Sequence, residues 1–130
     1  MKRYYFLIIA FATVLLTSCE KKQVPNKDAV TLSFEYREVD ASRCKVEIRS
    51  TSAPSYIADD LWYYFDNIYA TMIGNGYRYF DMNADTVKVS VWYKPGVEPN
   101  YNEIYVSKDF VIDITGVADS IWRTARPIDY

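Results

Sequence analysis

There is no histidine anywhere in these 130 residues, and only two cysteines. Without imidazole the chain has no Ser-His-Asp or Cys-His nucleophile pair, no histidine acid–base group and few routes to a zinc site. An excess of basic residues is also missing: 15 Lys and Arg against 17 Asp and Glu give a formal charge of −2, which excludes the basic face a nucleic-acid binder needs. Long hydrophobic runs are absent too, because the longest, from Tyr4 to Leu16, falls short of the roughly 20 apolar residues that cross a bilayer. Gly74-Asn75-Gly76 closes an apolar stretch rather than opening a helix, so it reads as a cap and not as a phosphate cradle. A glycosidase could work with two carboxylates alone, yet no pair stands out from Asp66, Asp109 and Asp113. The chain is expected to be non-catalytic and to need no cofactor.

What is present begins with the leader. Lys2 and Arg3 precede the apolar run, which ends in Leu16-Thr17-Ser18-Cys19 and gives way to the polar Glu20-Lys21-Lys22-Gln23. These first nineteen residues resemble a bacterial lipoprotein signal, with Leu16, Thr17 and Ser18 as the lipobox. The resemblance implies cleavage before Cys19 and attachment of palmitate-type acyl chains to it. Several chains would hold the protein firmly, since each buried methylene contributes about 0.8 kcal/mol. The expected destination is the cell envelope, in the outer membrane of a Gram-negative bacterium rather than the inner one, with the side left open. Residues 1–18 are then the signal peptide, 19–28 a lipidated tether and 29–130 a single domain. Removing Lys2 and Arg3 leaves 13 basic against 17 acidic residues, a charge of −4. Cys44 becomes the only thiol, so no internal disulfide can form and the core must hold the fold.

The patterning from Ala29 onward predicts an α+β domain: a small antiparallel sheet of about four strands, in two hairpins, with one amphipathic helix packed on one face. Val30, Leu32, Phe34 and Tyr36 alternate with polar residues, as do Cys44, Val46 and Ile48, and pairing Phe34 with Val46 sets Glu35 opposite Lys45. Ile57, Leu61, Phe65, Ile68 and Met72 recur at helical steps, widened by Trp62, Tyr69 and Ile73, with Asp59 and Asp60 in the first turn. Val87, Val89, Val91 and Tyr93 start the second hairpin. Its predicted register sets Tyr93 opposite Ile104, Val91 opposite Val106 and Trp92 beside Tyr105, and points Lys108 inward, which calls for a bulge or an edge. Residues 117–130 have no assignment.

Three features remain as candidate sites. Asp81, Asn83 and Asp85 have the spacing that opens a calcium loop, but Thr86 and Trp92 stand where its glycine and closing glutamate belong, so a polar turn is expected and no metal. Asp85-Thr86-Val87 and Asp119-Ser120-Ile121 resemble an O-glycosylation sequon of exported bacterial proteins. The third is aromatic: in a chain with thirteen Tyr and three Trp, the pair Trp92 and Tyr105 faces away from the helix. The C-terminal segment, with Ile121 and Trp122, is expected to cover them; left open, Trp92, Tyr105 and Trp122 would make a ligand platform. The expected function is therefore a non-catalytic envelope lipoprotein, a protein-interaction or accessory module tethered to a membrane. The alternative is a glycan-binding lipoprotein using that platform, and a carboxylate-dependent hydrolase comes third. The partner is a membrane through the lipid, together with an envelope protein or glycan, and not nucleic acid.

Overall fold

The computed structural model describes residues 23–81, 83, 85–97 and 102–130, which form two antiparallel β-sheets packed face to face. In chain order the strands are β1 (Phe34–Asp40), β2 (Lys45–Ser50), β3 (Leu61–Phe65), β4 (Ala70–Ile73), β5 (Gly76–Tyr79), β6 (Thr86–Tyr93), β7 (Val106–Asp113), β8 (Arg123–Thr124) and β9 (Arg126–Pro127). One sheet runs β5-β2-β1-β8 and the other β4-β3-β6-β7-β9. The remaining helical structure is two short 3-10 turns, Lys27–Ala29 and Ser55–Asp60.

This architecture corrects the α+β expectation: among the described residues there is no α-helix. Residues 57–73, expected as the amphipathic helix, supply a 3-10 turn and the hairpin of β3 and β4. The reason lies in the spacing itself. Leu61 and Phe65 are four residues apart, which suits one helical face and also two steps along a strand, so both periods fit them. The residues between decide: Tyr63 is fully buried with Leu61 and Phe65, whereas Trp62 and Tyr64 face outward. A run of five large residues, four of them aromatic, also favours the pleated surface.

Phe34 of the four-stranded sheet holds the sandwich together, wedging edge-on against Tyr63 at 5.4 Å and Phe110 at 5.2 Å. Burial of such a ring contributes about 1.5–3 kcal/mol. Val46, Ile48, Val87, Val89, Val91, Tyr93 and Ile112 complete the interior, and Cys44 is a buried free thiol whose pKa is pushed up by burial first and by Glu38 second.

Both predicted hairpins exist, in other registers. Phe34 lies opposite Ser50, and Glu35 opposite Arg49, where the two charges meet at 3.1 Å. Val39 is an extra residue between paired Glu38 and Asp40, a bulge that carries β1 further before the turn. In the second hairpin Tyr93 lies opposite Val106, Val91 opposite Lys108 and Trp92 opposite Ser107. That ladder has no bulge; Lys108 has inward parity but sits exposed near the start of β7.

Two segments change sheet and close the sides of the sandwich, as strands do at sandwich corners. On one side β4 ends the five-stranded sheet and β5 the four-stranded one, joined by Gly74 and Asn75. Gly74 takes a φ of 71°, open to glycine without strain, and the Asn75 amide oxygen accepts the Ser50 N–H at 2.8 Å. A Cβ on Gly76 would come within 3.2 Å of the Met72 sulfur, a tight approach that the Met72 side chain would have to relieve by shifting a few tenths of an ångström. On the other side the unassigned tail supplies β8 beside β1 and β9 beside β7, with buried Ala125 between them.

Candidate binding recess on the outer face of the five-stranded sheet

Strand parity builds this face. Because Leu61, Tyr63 and Phe65 point inward on β3, and Val89, Val91 and Tyr93 do so on β6, the opposite face carries Trp62, Tyr64, Ser90, Trp92 and Lys94. The register places Ile73, Trp62, Trp92 and Ser107 in one row across four strands, and Thr71, Tyr64, Ser90 and Asp109 in the next.

The aromatic rings form a ladder along this face. Tyr64 stacks on Trp92 with ring centres 5.7 Å apart and planes within 10° of parallel. The Lys94 ammonium lies 4.4 Å from the Trp62 ring centre and 5.3 Å from that of Trp92. Tyr64 is one row to one side of Trp92 and Lys94 one row to the other, so the two partners of Trp92 approach from opposite sides. Trp92 is thereby occupied within its own chain.

Trp62 differs. With Asp59, Asp60, Ile73, Lys94, Gly96 and Asn102 it lines an open recess of about 220 Å³. The 3-10 turn Ser55–Asp60 sets the two carboxylates on its rim immediately before β3, and the Lys94 N–H donates to the Asp60 carbonyl at 3.3 Å, fixing turn and strand end together. Ile73 is 54% exposed on the near edge. The recess offers an indole, two carboxylates, an ammonium and an amide; with no histidine or thiol in its lining, it has no triad-type nucleophile and base.

The three expected platform residues are not brought together. Trp92 is on this face. Tyr105 turns toward the core instead, edge-on to Tyr93 at 5.8 Å, with Lys27 5.0 Å above its ring. Trp122 lies against the four-stranded sheet between Arg37 at 4.6 Å and Arg49 at 3.7 Å. Trp122, expected to cover Trp92, lies on the other sheet; the tail reaches this face at Tyr130, whose hydroxyl donates to Asp109 at 2.5 Å. Asp109 also accepts from Ser90 at 2.7 Å, and Tyr130 first and Ser90 second hold its carboxyl below the ordinary range. Trp62 and Tyr64 were missed because the helical reading gave them to the wrong element. Strand parity in Leu61-Trp62-Tyr63-Tyr64-Phe65 was the signal that could have found them.

In the stretch with calcium-loop spacing, the Asn83 N–H donates to Asp81 at 3.0 Å, the local turn bond that Asp favours, and the Asp85 carbonyl accepts the Ile114 N–H at 2.8 Å. Among the described residues no group of three or more acidic or cysteine side chains is placed to hold a metal ion. Thr86 and Ser120 of the two sequon-like triplets are both exposed. Leu16, Thr17, Ser18 and Cys19 lie outside the described residues, and no described helix is long and apolar enough to cross a membrane. No protein-family model, curated protein or solved structure matches this chain.

Proposed function

We propose that this chain is a small non-catalytic lipoprotein of the cell envelope, a binding module tethered through Cys19 to the outer membrane of a Gram-negative bacterium, whose working surface is the recess beside Trp62. The observation that carries the binding role is the meeting, on one open face, of Trp62 with Asp59, Asp60, Lys94 and Asn102. Such a mixture of one ring and convergent polar groups is what binding sites use to hold and orient a partner. Support for the anchor comes from the order of basic residues, apolar run and Leu16-Thr17-Ser18-Cys19.

Among the described residues, Lys27 lies towards the recess end of the sandwich. Lys27 packs over Tyr105, which touches Tyr93, the neighbour of both Trp92 and Lys94. Eight residue steps separate Cys19 from Lys27, a reach of at most about 29 Å. A partner bound at Trp62 would therefore sit close to the surface that holds the lipid.

Two measurements test this. Labelled palmitate should enter the wild-type protein and not Cys19→Ala, which should move from the membrane to the soluble fraction. Immobilised wild-type protein should retain a component of envelope extract that Trp62→Ala does not retain; equal retention by both would remove the recess from the proposal.

A further inference from the structure

We infer that the occupant of the Trp62 recess is a single hexose ring at the end or branch of an oligosaccharide. This deepens the proposed binding role and rests on the recess being the working surface.

The argument is one of matching surfaces. A pyranose has an apolar C–H face and a rim of hydroxyls that both donate and accept hydrogen bonds. The recess has one ring to meet the face, Trp62, with Ile73 beside it, and on the rim acceptors from Asp59, a donor in Lys94 and an amide in Asn102 that does both. An indole stacked on an apolar surface keeps its favourable area while its edges stay wet. Size points the same way: about 220 Å³ is below the range that encloses drug-sized ligands, so one ring enters and the rest of the chain lies outside.

Other occupants match less well. A hydrophobic helix from a partner would set its apolar stripe against Asp59, Asp60 and Lys94 and desolvate them. A polyphosphate or nucleic acid would meet two carboxylates for one ammonium.

The Lys94 ammonium is the specificity-determining group. It lies 4.4 Å over the Trp62 ring, so a stacking sugar displaces it to the recess edge, where it would donate to the ring hydroxyls. Trp92, stacked on Tyr64 and 5.3 Å from the Lys94 ammonium, stands beside that contact, while Trp62 makes it.

The test is titration of the full chain in detergent micelles lacking sugar headgroups, followed by tryptophan fluorescence and by saturation-transfer NMR. The probes are cellotriose, maltotriose, chitotriose and mannotriose, each up to about 10 mM. At least one should bind saturably, with magnetisation transfer concentrated on one ring. Trp62→Ala should weaken it about tenfold. Asp59→Asn and Asn102→Ala, exposed rim changes that remove no packing, should each weaken it severalfold, and Trp122→Phe on the opposite sheet should leave it unchanged. Saturable binding indifferent to both Trp62 and the rim would overturn the inference, as would the absence of binding by all four sugars. If the sugars fail while an envelope protein is still captured through Trp62, the binding role stands and the sugar falls; if both fail, both fall.

Discussion

The carboxylate of Glu38 accepts both the backbone N–H of Thr115, at 3.1 Å, and its hydroxyl, at 2.6 Å, across 77 residues of sequence. It accepts two further donors, the Gly116 N–H at 2.9 Å and the Arg123 guanidinium at 3.2 Å. Glu38 occupies an inward position on β1 and is only 3% exposed, so its charge depends on these partners. One side chain thus ties the segment after β7 to the other sheet.

Replacing Glu38 by Ala leaves the Thr115 and Gly116 amides without their acceptor and Arg123 with Asp119 alone. The expected loss is about 2–3 kcal/mol in urea unfolding. Glu38→Gln, which keeps one acceptor oxygen, should lose less. Hydrogen exchange should show the amides of Thr115 and Gly116 losing protection before those of β6.

The aromatic ladder predicts unequal roles for its two indoles. Trp92 has Tyr64 and Lys94 against it, whereas Trp62 has Lys94 and the recess. Trp92→Ala should therefore cost stability by about 1 kcal/mol more than Trp62→Ala, and a double-mutant cycle of Trp92 with Tyr64 should return a coupling of about 0.5–1.5 kcal/mol. A Trp62→Ala loss equal to or above that of Trp92→Ala would contradict the assignment of support and contact.

Tyr63 predicts an alkaline limb. Burial pushes its phenol from the ordinary 10 up to about 12, with Ser50 opposing, and its hydroxyl meets no partner in hydrogen-bond geometry. The folded state holds that proton more tightly than the unfolded one, so the contribution is complete below pH 10 and fades as pH rises toward 12. Two units correspond to about 2–3 kcal/mol at most. Stability measured across that window should fall, and Tyr63→Phe should flatten the fall while changing stability at pH 7 by less than about 1 kcal/mol, since it removes an unpaired hydroxyl.

At the β4–β5 corner, Gly74→Ala should destabilise by about 1–2 kcal/mol, because its φ of 71° is strained for any residue with a Cβ even where space is open. Thermal melting checks this. Gly116, also at positive φ with open space, should behave similarly, and would show whether the cost is local conformation alone.

Much of the fold was legible in side-chain alternation, and the manner of the errors is instructive. The first hairpin is four residues from the expected register and the second two residues from it. Both slips are even, so Phe34, Tyr36, Val46, Ile48, Val89, Val91 and Tyr93 stay on the inward face regardless. Cross-strand partners did not survive: Glu35 found Arg49 rather than Lys45, and Trp92 found Ser107 rather than Tyr105. The tail was illegible because each of its strands is two residues long, too short for any period to show.

The amino-acid order by itself determined which apolar side chains of β1, β2, β6 and β7 turn inward, since the strands alternate and the core takes up the apolar set; the buried Glu38 is the exception on β1. It also carried the leader pattern and the lack of histidine, which are properties of composition and order alone. Only the tertiary structure decided that residues 57–73 are strands rather than a helix, because a spacing of four serves both periods and the choice fell to the second sheet available to pair with them. The recess at Trp62 followed from that choice. Its residues come from a 3-10 turn, two strands and the chain after β6, and nothing but the pairing of β3 with β4 and β6 brings them to one place.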